Sequence, residues 1–452
     1  MEGPTLILAR CYTETSYAAL PPAALHEAKR AILDGLAVGL GGADHPSADL
    51  LLSYCQQLGG QPHAQVWGRP QRLPLELAAL VNGQQEHVLD FDDTFLPPET
   101  VLHGTVPILP AILAVAEHRR QSGRELLRAF VLGFDAEARL ALALGRAHYL
   151  AGWHVTATTG PVGGAVGVGT LIGLTAPQLV NAIGIAITHS GGVTAMLGSM
   201  SKAYHCGKAA EAGVRAALLA ELGFDSAAEP LTHPQGYLNV AASDRAAERL
   251  TDRLGERWLL LENGYKPYAS GVVTHSLIDA MLAFRAEGLT PDAIARIEAS
   301  VNPFVLQVTG QQEPRTGLEG KFSAYHCAAV ALIDGAAGKR QFTDQRVQDP
   351  AVIALRRKVV LIPDEALRKD ECRVIVTLHD GSRRERHIPR ASGSADNPLS
   401  DSALTAKFRE LATPVLGERA EQVLEQVWQL ETLPDVAALA ALLATPAASK
   451  PA

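Results

Sequence analysis

From Ala147 to Ser201 the chain carries no Asp, Glu, Lys or Arg. A stretch this long without formal charge has to leave water, into either a protein core or a bilayer. Pro161, Asn181, His189 and many glycines interrupt it, so it lacks the unbroken apolar run of about 18 residues that a membrane crossing needs. The pattern predicts two or three buried helices at the centre of a large helical domain, with no membrane span. The glycines at 160, 163, 164, 167, 169 and 173 do not give the G-x-G-x-x-G spacing, and no acidic residue follows at the ribose position. That speaks against an NAD-dependent oxidoreductase. In a helix, Gly160 and Gly164 share one face, as do Gly163 and Gly167, which suits close helix packing.

Helix signals dominate the first 260 residues or so. Ser122-Gly-Arg-Glu125 and Thr175-Ala-Pro-Gln178 both read as capping boxes ahead of apolar runs, and Lys208–Leu222 is alanine-rich. After about Lys266 the character changes. Ile297–Leu306 has a β-branched flavour; Arg373–Leu378 alternates Val374, Val376 and Leu378, then turns through Asp380-Gly381 into a charged strand, a hairpin signal. Asp396–Asp401 reads as loop, helix returns from Ser402 to about Leu443, and the tail after Thr445 is expected to fray. A chain of 452 residues exceeds what one growing core supports. The expectation is a mainly α protein: a large all-helical domain from residues 1–265 and 398–452, with a smaller α/β (α+β) domain, 266–397, inserted before the C-terminal helices.

The net charge of −8 leaves no basic face for nucleic acid, although a local pocket can still be positive. The five cysteines form no Cys-x-x-Cys pair, which fits a reducing compartment and offers no iron–sulfur or zinc spacing. The N-terminus has no basic start followed by an apolar core, so the cytoplasm is the expected location.

Five clusters offer chemistry. Leu89-Asp-Phe-Asp-Asp-Thr94, followed by His103, puts three carboxylates within four residues; a solvated loop is the bland alternative. Gly152-Trp-His-Val-Thr156 puts His154 at the edge of the uncharged stretch, where it is either a core histidine or an acid/base group. Lysine is scarce, and none stands between Arg30 and Ser201. Lys202, which ends the uncharged run, can bind a carboxylate or snorkel to water. Lys266, ahead of Pro267, sits in extended chain where the two domains are expected to meet, as ligand contacts often do. Lys321-Phe-Ser-Ala-Tyr325-His326 offers Tyr325 as a proton donor.

In this order the pieces resemble the MmgE/PrpD family, which includes 2-methylcitrate dehydratase, cis-aconitate decarboxylase and iminodisuccinate epimerase. The resemblance spans about Leu89 to Gly335 and rests on Leu-Asp-Phe-Asp-Asp-Thr, Gly-Trp-His-x-Thr, Lys-x-x-His-x-Gly-x-Ala-Ala, Lys-Pro-Tyr with Thr274-His275, and Lys-Phe-Ser-x-Tyr with Leu332-Ile-Asp-Gly335. It implies a homodimer with its site between the domains and a small carboxylic acid as substrate, handled without metal or organic cofactor. It further implies a lyase (dehydratase or decarboxylase), with an isomerase as the alternative and a non-catalytic carboxylate-binding protein as a second. His154, His103, Lys202, Lys266, Tyr325 and Asp90 would be catalytic, and Thr94, Asp93, His205 and His275 would contact substrate. In this scheme Lys202 and Lys266 hold carboxylates, His154 moves a proton at carbon, His103 oriented by Asp90 is the second acid/base group, and Tyr325 donates to an oxygen. The chain departs from the pattern at Gly271, where several relatives carry a histidine or cysteine, and in Phe95–Glu99, where some are shorter.

Overall fold

The structure is a computed structural model, and it describes residues 2–445. The expected frayed tail beyond Thr445 lies outside the described residues. The uncharged stretch folds as two helices, Val155–Leu171 and Ala176–Ile187. Every residue of the first is buried, so charge is absent because no water reaches any face of it. It packs between Gly123–Leu150, which breaks at Gly145, and Met200–Glu221, which in turn packs on Leu75–Val88. Glycines set the closeness of these contacts. A Cβ at Gly213 would lie 2.7 Å from Gly164 Cα, and one at Gly83 would lie 2.9 Å from Gly207 Cα. No described helix is long and apolar enough to cross a membrane.

The two helix starts behave differently. Gln178 Oε1 accepts from the Thr175 amide at 3.0 Å and from its hydroxyl at 2.9 Å. Ser122 Oγ accepts from the Glu125 amide, but the Glu125 carboxylate turns to Arg128 Nε at 2.9 Å, so the reciprocal half of the box is missing.

Towards the C-terminus a four-stranded sheet forms, in the order Val359–Pro363, Ile294–Val301, Cys372–Leu378, Arg383–Ile388. The first pair is parallel and the others antiparallel, the last being the expected hairpin. The inward residues Val374 and Val376 are buried. The β-branched stretch stops short of its expected end: Asn302 Oδ1 accepts from the Phe304 amide at 3.0 Å, Pro303 takes the first helical position, and Pro303–Thr309 is helix. The helices His275–Ala286 and Ala324–Asp334 pack together, the former also against the hairpin. Asp401–Leu416 then returns to pack along Pro22–Gly42, near the start of the chain. The protein is mainly α with a small α/β part near its C-terminus.

Candidate active site

The Leu75–Val88 helix ends at the acidic turn. Asp90 adopts φ 49°, a left-handed conformation that Asp tolerates better than most residues, and its amide donates to the His87 carbonyl at 2.9 Å. Four buried lysines hold this turn. Lys202 Nζ and Lys266 Nζ reach Asp90 Oδ1 at 2.7 and 3.0 Å, and Lys266 also donates to the Asp90 carbonyl at 3.0 Å. Lys321 donates to the carbonyls of Leu89 (2.6 Å) and Ala269 (3.0 Å). Lys407 donates to the carbonyls of Phe91 and Lys266 and to Asp34 Oδ1. Lys202 lies in the first turn of Met200–Glu221 with its ammonium buried, which removes the snorkelling alternative. Lys266 lies outside any helix or strand, between the Asn263–Gly264 strand and Pro267.

Asp90 does not orient His103. Its oxygen is committed to the two ammoniums, and the partner of His103 is Asp92. His103 Nδ1 is 2.8 Å from Asp92 Oδ2 and 2.9 Å from the Asp93 carbonyl, so the Nδ1 proton is held and Nε2 carries the free lone pair. His87 Nδ1 reaches the same Asp92 oxygen at 2.9 Å. His154 Nδ1 meets His205 Nδ1 at 3.2 Å, leaving His154 Nε2 without a protein partner among the described residues. The His103 and His154 rings are 6.4 Å apart.

Burial raises the Asp90 carboxyl, but Lys202 and Lys266 outweigh it and keep the group well below the usual range. Burial pushes His103 down against the pull of Asp92. His154 goes well below its ordinary value, through burial first and then the Lys202 charge. Both imidazoles are therefore neutral near pH 7. Lys321 is lowered to about 7, chiefly by burial, with Asp90 opposing.

Asp90, His103, His154, Lys202 and Lys266 line one narrow cavity of about 50 Å3. The rest of its wall is Gly271 and apolar or aromatic side chains. A larger cavity of about 230 Å3 adjoins it, with Lys266 and Val272 lining both. The larger one is lined by Glu262, His275, Arg368, Asp370 and Asp396 among others, whereas Asp90, His103, His154 and Lys202 line only the narrow one.

Five expected site residues stand elsewhere. Thr94 and His275 line the larger cavity; Thr94 Oγ1 is 3.4 Å from His103 Nδ1, and His275 Nε2 is 3.3 Å from the Ser270 carbonyl. His205 stands behind His154. Asp93 turns the other way from Asp92, accepting from Thr105 Oγ1 (2.7 Å) and Asn263 Nδ2 (2.6 Å); burial, with the nearby Asp92 charge, raises it to about 7. Tyr325 is absent from the wall of the narrow cavity, and its hydroxyl is 3.4 Å from Gln312 Nε2. Four contributors escaped the sequence reading, Lys407 among them, which returns to the turn from the distant C-terminal helix. Asp92 sits inside the quoted motif but does not stand out from its neighbours, Lys321 opens a motif read for its tyrosine, and His87 lies in plain helix with no local signal.

His87, His103 and His154, or His87, Asp90 and Asp92, could each offer ligand atoms within 4.8 Å of one another to a metal. Both sets are compromised. Asp92 holds Nδ1 of His87 and His103, and two ammoniums hold Asp90, so a divalent cation there would meet like charge.

The MmgE/PrpD N-terminal domain model matches residues 7–250 and the MmgE/PrpD C-terminal domain model residues 268–430. The chain is 30% identical over 440 residues to a cis-aconitate decarboxylase of Mus musculus, covering 93% of this chain and 89% of that protein. It is 30% identical over 441 residues to a cis-aconitate decarboxylase of Homo sapiens, covering 93% and 90%. For one of Aspergillus terreus the figures are 27% over 463 residues, 95% and 94%. With both halves of the chain matched, this chain belongs to the MmgE/PrpD family.

Proposed function

We propose that this protein is a lyase that removes carbon dioxide or water from a small di- or tricarboxylic acid, using its own side chains as acid and base. The observation that carries the reading is the cavity wall: two imidazoles, each with an Nε2 that no protein group engages among the described residues, beside Lys202 and Lys266. Eliminations of such acids develop negative charge next to a carboxylate, and positioned cations stabilise that charge. In this reading Lys202 and Lys266 bind substrate carboxylate where Asp90 now lies between them. His154 exchanges the proton at carbon, and His103, backed by Asp92, is the second acid/base group. The cis-aconitate decarboxylase relatives favour loss of carbon dioxide.

A second reading has one observation in its favour. Imidazoles 6.4 Å apart across one cavity suit removal of a proton on one side and its return on the other, which is epimerisation. Incubation with cis-aconitate, 2-methylcitrate and iminodisuccinate, followed by proton NMR, separates the cases. New product signals from an elimination support the lyase; inversion without elimination supports the isomerase. Thermal stabilisation by these acids with no turnover would contradict both and leave a binding protein.

A further inference from the structure

We infer, resting on the lyase reading above, that His205 is a positioning residue: it holds His154 in the form that carries its proton on Nδ1 and presents a bare Nε2 to the cavity. The two imidazoles of the cavity wall are backed by different partners. Behind His103 stands the buried Asp92 carboxylate, 2.8 Å from Nδ1. Behind His154 stands another imidazole, with Nδ1 of His205 3.2 Å from its own Nδ1. His205 itself is absent from the wall of the narrow cavity, so it acts on the acid only through His154.

The local chain builds this contact. His205 follows Lys202 by three residues in the Met200–Glu221 helix, so the two side chains share one face. His154 stands at the N-cap of Val155–Leu171, and its amide donates to the Gly192 carbonyl at 3.0 Å. Gly192, at φ 154°, also lies against the second ring: an added Cβ would come within 3.1 Å of His205 Cε1 and Cγ and 2.6 Å of Ala157 Cβ. One backbone position, open only to glycine, therefore seats both imidazoles.

A contact between two ring nitrogens holds a single proton. With none, two lone pairs face each other; with two, the hydrogens collide. Burial first, and then the Lys202 charge, lower both rings, His205 to about 4, with Lys208 acting further on His205 and His87 on His154. Both rings are therefore neutral near pH 7, and one more proton has its place on an outer nitrogen. The surroundings decide which. Lys202 and Lys266 on the wall donate to Asp90 and offer no acceptor, so they suit a bare His154 Nε2 and oppose an N–H there. His205 Nε2 meets no protein group among the described residues, and the ring is 8% exposed, so water receives its N–H. The shared proton then belongs to His154 Nδ1, and His205 accepts it. A neutral acceptor stabilises an imidazolium less than Asp92 does, so a proton taken up by His154 is readily passed on.

The test uses the full-length protein with its histidine nitrogens isotopically labelled, and reads by NMR which ring nitrogens carry protons. The parent should show His154 protonated on Nδ1 and bare on Nε2, with His205 the reverse. Turnover is then measured on cis-aconitate and 2-methylcitrate. In His205→Phe, which cannot accept, kcat should fall by about 10²-fold while KM stays within about twofold. In His205→Asn, whose Oδ1 can accept from His154 Nδ1, most of the lost kcat should return. A bare Nδ1 on His154 in the parent would overturn the inference, as would parental kcat in His205→Phe, or His205→Asn as slow as His205→Phe. The parent spectra decide the case even where a variant does not fold. If the parent converts neither acid, the lyase reading falls, and those spectra alone decide for or against His205.

Discussion

His103 Nδ1 lies 2.8 Å from Asp92 Oδ2, with Asp92 almost wholly buried and the His103 side chain open only towards the cavity. This contact fixes the tautomer that leaves Nε2 as the base, and it stabilises the imidazolium formed when the base takes a proton. Replacing Asp92 by Asn keeps the size and removes the charge. Turnover should fall by about 10²- to 10⁴-fold with the circular dichroism spectrum retained. Near-parental rates in Asp92→Asn would exclude His103 as an acid/base group.

Asp90 is the counter-ion of two ammoniums, so Asp90→Asn leaves Lys202 and Lys266 facing each other unpaired. Breaking a buried ion pair from one side costs about 3 kcal/mol or more, and the melting temperature should fall accordingly. Because a bound carboxylate supplies the missing charge, saturating maleate should raise the variant's melting temperature more than that of the parent. Equal rises in the two proteins would show that the lysines do not receive the acid.

The pH dependence follows from burial. His103 and His154 both titrate below the ordinary histidine value of 6.5. A base must be unprotonated to act, so kcat/KM should stay level as pH falls through 6.5 and drop only once pH approaches the lowered values. An acid limb centred at or above 6.5 in a pH–rate profile would contradict the assignment.

How much of this was legible in the chain depends on what kind of signal each residue carries. The absence of charge from Ala147 to Ser201 reports burial directly, because an unpaired charge in the Val155–Leu171 helix would have no water to meet; the central helices follow from it. The hairpin follows from two-residue alternation and Asp380-Gly381, with Gly381 at φ 83°. Lys202 stands out because lysine is scarce and it ends the uncharged run, and Lys266 because it precedes Pro267 where the character of the chain changes. Asp90 is picked out with them but given the wrong partner, since Asp90, Asp92 and Asp93 stand together in sequence and are told apart only by the left-handed turn at Asp90, which leaves Asp92 on His103 and Asp90 on the two lysines. His87 and Phe304 are likewise ordinary helix residues until long-range packing brings one to Asp92 and the other to the cavity wall. The end of the β-branched stretch was misplaced because an Asn-Pro cap overrides local strand preference.

Chemistry carried by side chains should not need an added metal. Extended dialysis against EDTA is expected to leave kcat unchanged within error, and added Mg2+ or Zn2+ should not raise it. Loss of activity on dialysis that returns with one of these cations would point instead to the His87, His103 and His154 cluster as a metal site.

The most direct test follows solvent deuterium into the acid that the protein turns over, by proton NMR, for the parent, His154→Ala and Lys202→Ala. The parent should place deuterium at the reacting carbon. His154→Ala should slow that incorporation by about 10²- to 10⁴-fold, and Lys202→Ala should weaken binding of the acid. If both variants label and convert the acid at close to the parental rate, the chemistry does not take place in this cavity.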